Sequence, residues 1–469
     1  MKFRSTNNKL RKLRIVLLVT VLAFSLILPT FAQEAEPDAP TGQAQAKALY
    51  LPLVTATGQR VDTVTEQDFT DADFADGEEA VEIASADSSS RGALFVASNS
   101  FDALRGNEVI MYRRAADGLL TLIGHFPTGG QGSGPGTRFR GDGLGADGSV
   151  TLSKNHRWLF VTNAGSNQVS VFRVYRHGLE LRSVVDSGGL FPNSVTVRKN
   201  AVYVLNSGND GNITGFKMDG QGHLTPLADS TRDLNGNQSY PPDALYNHAG
   251  VEFSPDGDHL VITIKDGPPI PEATGPGRIL VFTVDNRLPS AAPVIDEGTN
   301  NGPFGFTFDR KGRLLVSHFV GGVGLTGAAS SYEIEDDGSL EEISLNVSDG
   351  QIDTCWLVTN DDYVYGSNFG SDTISSWTLD DDGELELLDA TAATTVGVGT
   401  FPIDLGITPN GEYLYLVQPG NGKVGMWAIN DDGSLTSLGE ADGLEPTAAT
   451  EPTEYFTHMG GSPAGIAVY

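Results

Sequence analysis

Two histidines and a lysine stand at the edges of apolar segments, where they could carry out acid–base chemistry. His248 precedes one apolar run, His318 ends another, and Lys265 directly follows a third. A histidine with a pKa near neutrality can take a proton from water, and a nearby cation can polarise a carbonyl group or hold a carboxylate. These residues are therefore candidates for a catalytic base and its cation. The competing interpretation is that both histidines are solvated loop residues.

A glycine-rich segment provides a second group of candidates. Residues 128–146 run through several glycines to Arg138, Arg140 and Asp142. The two arginines could clamp an anionic ligand through paired hydrogen bonds, or they could pair with nearby aspartates. The segment lacks the Lys-Ser/Thr ending of a phosphate-binding loop, and no helix pattern follows it, so nucleotide binding is not expected.

Asparagines recur where apolar segments end. Asn163, Asn206 and Asn368 each close a predicted strand, and Asn193 lies in the loop that leads into another. Their amides could contact a ligand, or they could cap the turns, because asparagine tolerates left-handed φ and bonds to nearby backbone. The histidines lack zinc-site spacing and the acidic turn at 380–383 lacks the calcium-loop pattern, so no metal and no cofactor is predicted.

A repeat that starts near Ala93 positions all of these residues. Each unit consists of four strands, with turns such as Ser-Pro-Asp-Gly and Asp-Gly between them. The second strand is the clearest and recurs seven times, at 94–99, 158–163, 201–206, 259–264, 313–318, 363–368 and 413–418. The period of about 54 residues is typical of a β-propeller with one four-stranded blade per unit. We therefore predict an all-β, seven-bladed β-propeller.

The two ends of the repeat region complement each other. The first unit begins at a second strand, and residues 462–469 have the pattern of an innermost strand. We expect the C-terminal strand to complete the first blade, because this closes the ring and removes open strand edges. In such a ring, the starts of innermost strands and the ends of second strands share one face. This face holds the candidates His248, Lys265 and His318.

The N-terminal region has a different composition. Residues 1–32 combine six basic residues with an apolar run and a small-residue cleavage pattern, which predicts a secretory signal peptide. Residues 33–92 are acidic and poor in apolar periodicity, so we expect a flexible leader before the propeller domain of residues 93–469. With 60 acidic and 30 basic residues, the chain is not expected to bind nucleic acid. We expect a secreted, extracytoplasmic monomer without stable membrane insertion after cleavage.

Several motifs resemble one known family. The Ser-Pro-Asp-Gly turns, the segments 160–163 and 169–172 and the Asp-Gly-x-Leu hairpins resemble the seven-bladed lactonases, which include 6-phosphogluconolactonases and carboxymuconate lactonising enzymes. The segments 191–197, 303–306 and 355–356 resemble a secreted branch of that family. The family's Pro-His pairs and its Glu after the second strand are missing here. The resemblance therefore carries no complete catalytic set.

Two functions follow from this resemblance and from the family motifs that are missing here. The first is hydrolysis or formation of a lactone ring, with His248 or His318 as base and with Lys265 or the arginines of the 128–146 segment stabilising negative charge. Its ligand would be a small anion or a lactone. The alternative is a non-catalytic exported or cell-surface propeller, similar to surface-layer repeat propellers, that binds an extracellular protein or a glycan.

Overall fold

The computed structural model describes most of the repeat region, in the ranges 90–135, 142–236, 238–265, 277–297, 302–320, 322, 326–447 and 461–469. The predicted signal peptide, the leader up to residue 89, Arg138 and Arg140 lie outside the described residues. All regular secondary structure in these ranges is β-strand, arranged in seven sheets, so the predicted seven-bladed propeller is confirmed. In the same ranges, no helix is long and apolar enough to cross a membrane.

The innermost strand of each blade pairs on one side only and lines the central axis. It starts at one face of the ring, which we call the mouth face, and runs toward the opposite, turn face. In chain order these strands are β4 (Val150–Leu152), β8 (Pro192–Arg198), β13 (His248–Phe253), β18 (Pro303–Phe308), β22 (Thr354–Thr359), β26 (Leu405–Ile407) and β30 (Ala464–Val468).

The second strands form the core, because neighbouring blades cover both of their sides. Their residues are almost all buried, which explains their continuous apolar sequences. They are β1 (Ser90–Ala97), β5 (Trp158–Asn163), β9 (Ala201–Asn206), β14 (His259–Ile264), β19 (Leu314–His318), β23 (Tyr363–Asn368) and β27 (Tyr413–Gln418). All seven coincide closely with the predicted segments, and β1 starts at Ser90 rather than at Ala93.

The third and outer strands complete the blades. The third strands are β2 (Glu108–Ala115), β6 (Gln168–Tyr175), β10 (Asn212–Met218), β15 (Arg278–Asp285), β20 (Ala328–Ile334), β24 (Thr373–Leu379) and β28 (Lys423–Ile429). Five outer strands are continuous: β3 (Leu120–Pro127), β7 (Gly178–Asp186), β21 (Leu340–Ser348), β25 (Leu385–Thr394) and β29 (Leu435–Asp442).

Blades 3 and 4 differ from the predicted four-stranded pattern at their outer edges. There the outer strand is divided into two short pieces, β11 (Leu224–Pro226) with β12 (Arg232–Asp233), and β16 (Leu288–Pro289) with β17 (Val294–Asp296). A proline ends the first piece in each blade, because it has no N–H with which to continue the ladder.

The C-terminal strand closes the ring as predicted. Strand β30 pairs with β1, with Leu94 opposite Val468, and Ala93 and Tyr469 exchange backbone hydrogen bonds of 3.1 and 3.0 Å. The Arg114 side chain also donates to the Tyr469 carbonyl oxygen at 3.1 Å. Blade 1 is thus assembled from both ends of the repeat region.

A layer of buried side chains crosses the central channel, and we call it the axial layer. It belongs to a larger contiguous cluster of buried residues, which we call the axial cluster, and it includes one residue from each blade: Ala464, Ala146, Phe191, Ala249, Phe304, Trp356 and Ile403. The Trp356 indole N–H donates to the Ala146 carbonyl oxygen at 3.1 Å. Since these residues belong to blades 6 and 2, which are not neighbours, the bond spans the axis. The layer therefore separates the mouth of the channel from its turn-face end.

Candidate functional site

The segment that leads into β4 supplies one wall of the site. Asn247 donates its amide to the Leu144 carbonyl oxygen at 2.8 Å, and the Asp147 N–H donates to the Ala249 carbonyl oxygen at 2.8 Å. Gly145 has a φ of +56°, and a Cβ there would lie 2.9 Å from Ala244. The close approach favours glycine at this position and brings its carbonyl group toward the second strand of blade 4.

Lys265 extends from the end of β14 into this wall. Only 2% of its surface is exposed, and its Nζ donates to the Gly145 carbonyl oxygen at 2.7 Å. The ammonium group also lies 4.1 Å from the centre of the Phe304 ring, within the range of a cation–π interaction. Burial lowers the pKa of Lys265 to about 8, against the opposing effect of carboxylates that include Asp142 and Asp353.

Asp142 is the first of these carboxylates. Its Oδ1 accepts a hydrogen bond from the Gly145 N–H at 2.6 Å. Burial raises the pKa of Asp142, while the nearby charge of Lys265 and the backbone donors lower it. The predicted ligand-binding residue Asp142 thus lies beside the predicted catalytic Lys265, although the two are far apart in sequence.

Asp353 is the second carboxylate and is partly exposed at the mouth face. It directly precedes β22 and has a φ of +59°. Its carbonyl oxygen accepts the Phe369 N–H at 2.9 Å, which holds the turn in place. Burial raises the pKa of Asp353 to about 6, and Lys265 opposes this rise.

Cys355 lies two residues further on, in the axial cluster. It is buried, and burial raises the pKa of its thiol well above the ordinary value. A protonated, enclosed thiol is a poor nucleophile. Its position is therefore that of a packing residue.

Together these side chains form the mouth cluster, which we define as Lys265, Asp142 and Asp353. It combines a carboxyl group that titrates near neutrality with a cation that can lose its proton just above neutrality. Pairs of groups with such displaced pKa values are typical of sites of proton transfer. The cluster can therefore take a proton from water and stabilise a developing negative charge.

His248 is part of the wall between blades 3 and 4 and is fully buried. A Cβ on Gly211 or Gly236 would lie 2.3 Å from its Cε1 atom, so the ring occupies the space beside these glycines. Its Nδ1 lies 3.4 Å from the Ser207 hydroxyl, and its Nε2 has no hydrogen-bond partner within the described ranges. Burial and the charge of Arg278 lower its pKa to about 3.

His318 is also fully buried, at the end of β19. Neither ring nitrogen has a hydrogen-bond partner among the described residues, and burial lowers the pKa of His318 to about 3. Both histidines are therefore neutral at pH 7. A group with so low a pKa gains little from accepting a proton at neutral pH, and the catalytic role of the histidines stays a prediction.

Two of the predicted asparagines use their amides within the protein. Asn163 accepts the Thr128 hydroxyl at 2.7 Å and donates to the Ser170 hydroxyl at 2.7 Å. Asn368 accepts the Thr354 hydroxyl at 2.7 Å and donates to Ser375 at 2.8 Å. These bonds join the end of each second strand to neighbouring strands and, through Thr128, to a loop. Both amides are thus engaged within the protein, as in the structural alternative considered from the sequence.

The other two asparagines each keep a buried oxygen without a hydrogen-bond partner in the described ranges. Asn193 donates to the His248 carbonyl oxygen at 2.7 Å, and Asn206 donates to the Asn212 side chain at 2.7 Å. Their carbonyl oxygens remain candidates for ligand contact. The predicted arginines Arg138 and Arg140 lie outside the described residues.

A second acidic group lies beyond the axial layer, toward the turn face. Asp147 accepts the Phe306 N–H at 3.2 Å and Asp404 accepts the Gly465 N–H at 2.8 Å. Protein surrounds the Glu252 side chain, although solvent reaches it along the channel. Loss of hydration and the negative charge of Asp147 raise the pKa of Glu252 to about 8. The described residues contain no group of His, Cys, Asp and Glu side chains arranged to hold a metal ion.

Sequence reasoning did not assign a role to Asp353 as a base. It favoured the histidines as bases, because the ordinary pKa of histidine lies near neutrality. Burial reverses this order, since it raises the pKa of a carboxyl group and lowers that of an imidazole. The sequence feature that could have indicated this role is an acidic residue directly before an apolar inner strand, as in residues 353–358.

The family model described as "Lactonase, 7-bladed beta-propeller" matches residues 135–238 and 276–449, together more than half of the chain. Among curated proteins, no sequence matches.

Solved structures share the fold at low sequence identity. A candidate 6-phosphogluconolactonase from Bacteroides fragilis is 15% identical with a TM-score of 0.58, covering 82% of this chain and 99% of that one. The periplasmic gluconolactonase PpgL of Pseudomonas aeruginosa is 16% identical with a TM-score of 0.58, covering 76% and 98%. A second candidate 6-phosphogluconolactonase, from Bacteroides uniformis, is 18% identical with a TM-score of 0.56, covering 76% and 98%. At these identities the likeness shows the fold alone.

Proposed function

Because this chain belongs to the seven-bladed β-propeller lactonase family, we propose that it hydrolyses a lactone, or forms one in the reverse direction, at the mouth face of its central channel. The observation that carries this proposal is the mouth cluster. Lys265 and Asp353 have pKa values displaced toward neutrality from opposite directions, to about 8 and about 6. Ester hydrolysis needs both a base for water and a stabiliser for the oxyanion.

In the first step, the Asp353 carboxylate removes a proton from a water molecule as the water oxygen attacks the lactone carbonyl carbon. The carbonyl π electrons move to oxygen and form a tetrahedral oxyanion. The positive charge of Lys265 stabilises this oxyanion in surroundings that exclude most solvent, where electrostatic interactions are stronger than in water.

In the second step, the oxyanion re-forms the carbonyl group and the ring C–O bond breaks. The departing ring oxygen takes the proton from Asp353, so that the base is restored and a hydroxy acid is released. Lactone formation follows the same steps in reverse. Asp142 lies beside Lys265 and helps to keep the lysine protonated, because its negative charge raises the lysine pKa.

The test is turnover of a panel of sugar, alkyl and muconate-type lactones by the purified protein, followed as acid release at constant pH. Lys265→Met removes the cation and is expected to lower kcat/KM by roughly 100-fold or more. Asp353→Asn removes the base and is expected to lower it by a similar or larger factor, about 100-fold to 10,000-fold. We expect a bell-shaped pH dependence with limbs near pH 6 and pH 8, because Asp353 must be ionised and Lys265 protonated.

Matched controls make these losses specific. Lys311→Met and Asp362→Asn carry the same substitutions at exposed positions on the turn face and should retain full activity. His248→Ala and His318→Ala test the histidine assignment made from the sequence. Full activity in Asp353→Asn with a large loss in either histidine variant would overturn our choice of base.

The alternative function is that of a non-catalytic exported binding propeller. Absence of turnover across the whole panel, in a protein that is folded by circular dichroism, would favour this alternative. Capture of an extracellular protein or glycan by the mouth face would then be the next measurement, with Lys265→Met as the variant expected to weaken it.

Export itself is a further part of the proposal. It is supported by the basic and apolar pattern of residues 1–32. We expect the extracytoplasmic fraction to contain a protein whose N-terminus is Gln33. An intact N-terminus at Met1 in the cytoplasmic fraction would contradict it.

A further inference from the structure

An apolar surface adjoins the mouth cluster on blades 6 and 7. We call it the apolar wall and define it as Ile352, Phe369, Val398 and Phe401. Ile352 is 55% exposed and Val398 is 94% exposed, although both are large aliphatic residues. Contiguous exposed apolar residues beside a polar site commonly contact a ligand.

The wall is continuous with the site rather than a separate patch. Ile352 directly precedes Asp353, and the Phe369 N–H donates to the Asp353 carbonyl oxygen. Phe369 packs against the axial cluster on one side and stacks on Phe401 on the other, with ring centres 5.3 Å apart. The two stacked rings therefore extend the apolar surface from the axial cluster to the loop that carries Val398.

Asp372 holds the rim loop in a fixed position. Its carboxylate accepts hydrogen bonds from Gly399 N–H at 2.7 Å and from the Thr400 N–H at 2.8 Å, and Phe401 N–H also donates to it. The exposed Val398 thus stands on an anchored loop. A preorganised apolar surface loses less entropy when a ligand covers it than a mobile loop would.

The charges around Lys265 disfavour an anionic ligand. Asp142, Asp243 and Asp353 all act on its pKa as neighbouring negative charges. Among the described residues around Lys265, these carboxylates outnumber the cation and repel a strongly anionic substituent such as a phosphate group, since little solvent screens them.

We propose that the substrate of this site is an uncharged lactone with an apolar substituent, an alkyl chain or an aromatic ring, which lies along the apolar wall while the lactone ring meets Lys265 and Asp353. This inference rests on the proposed lactonase function. It further implies that a phosphorylated sugar lactone is a poor substrate.

The first test compares turnover of γ-butyrolactone with that of the same ring bearing a six-carbon alkyl chain. We expect the alkyl chain to lower KM by about tenfold or more, because it buries apolar surface on the wall. In the double variant Ile352→Ser/Val398→Ser, KM for the alkyl lactone should rise several-fold, and by a larger factor than KM for γ-butyrolactone. Ile295→Ser, at an exposed isoleucine on the outer edge of blade 4, is the control and should change neither value.

The second test measures binding without turnover. Calorimetry with the corresponding five-membered lactam carrying a six-carbon chain should show binding that weakens several-fold in Ile352→Ser/Val398→Ser. Equal binding of substituted and unsubstituted lactams, or binding unaffected by these substitutions, would overturn the inference. Good turnover of γ-butyrolactone without any gain from the chain would leave the lactonase function intact and refute the apolar substituent. Chain-dependent binding without turnover would refute the lactonase function alone.

Discussion

Lys265 should destabilise the fold at neutral pH and do so less as the pH rises. Its pKa falls from the ordinary 10.5 to about 8 in the folded protein, so the unfolded chain binds its proton more tightly. This difference costs the folded state about 3 kcal/mol at pH 7. At pH 9.5 the folded-state lysine is largely neutral, and the cost falls to about 1 kcal/mol.

The perturbation that tests this reasoning is Lys265→Met, which keeps the length of the side chain and removes the charge. At pH 7 it relieves the cost of the buried charge but leaves the Gly145 carbonyl oxygen without its donor, which costs about 1–3 kcal/mol. The net change at pH 7 is therefore small. Between pH 7 and pH 9.5, however, the unmodified protein should gain about 2 kcal/mol relative to the variant.

The assay is urea unfolding followed by tryptophan fluorescence at pH 7 and pH 9.5, at constant ionic strength. Groups that are remote from Lys265 contribute equally to the two curves and cancel in the difference. Lys311→Met provides the matched control and should keep a constant difference from the unmodified protein. If the difference between Lys265→Met and the unmodified protein is the same at both pH values, the lysine is not desolvated as described and the reasoning is refuted.

Two further predictions concern the ring and its channel. Deletion of residues 463–469 removes β30, so we expect calorimetry to show a loss of cooperative melting or a fall in Tm of roughly 10 °C or more; an unchanged cooperative transition would show that blade 1 does not need this strand. Glu252 has a pKa raised to about 8 by its surroundings and Asp147, so its ionisation opposes folding as the pH rises from about 4.5 to 8. Glu252→Gln should therefore be more stable than the unmodified protein at pH 8 and similar to it at pH 4.5, as judged by urea midpoints; equal midpoints at pH 8 would contradict this.

The architecture could be predicted from the sequence because each blade repeats a local pattern. The second strands are apolar throughout, since both of their sides are covered, and turns such as Ser-Pro-Asp-Gly mark where the chain reverses. In the turn at 254–257, the Gly257 N–H donates to the Ser254 carbonyl oxygen at 2.8 Å and Gly257 has a φ of +84°. Such features depend on neighbouring residues alone, so one sequence suffices to find them.

The site was less predictable because its properties depend on contacts between distant segments. The sequence indicated Lys265 and Asp142 separately, but only the fold brings residue 265 to the carbonyl group of residue 145. The histidines illustrate the same limit. Their position on the mouth face followed from the repeat, whereas the burial that lowers the pKa of His248 and His318 to about 3 depends on how the loops pack.

The divided outer edges of blades 3 and 4 were also missed. Pro226 and Pro289 were visible in the sequence, but a proline on an outer strand can either end the strand or sit at its unpaired edge. Which of the two occurs depends on the side of the strand that faces the neighbouring ladder, and a single sequence does not specify this.

The axial layer has a kinetic consequence for any reaction at the mouth cluster. Because Trp356 and Ala146 join across the axis, the channel is a dead end when approached from the mouth face. A product formed there must depart through the same opening by which its precursor arrived. The hydroxy acid and the lactone then compete for one vestibule, so product inhibition should be competitive, and accumulated product should slow turnover long before chemical equilibrium is reached.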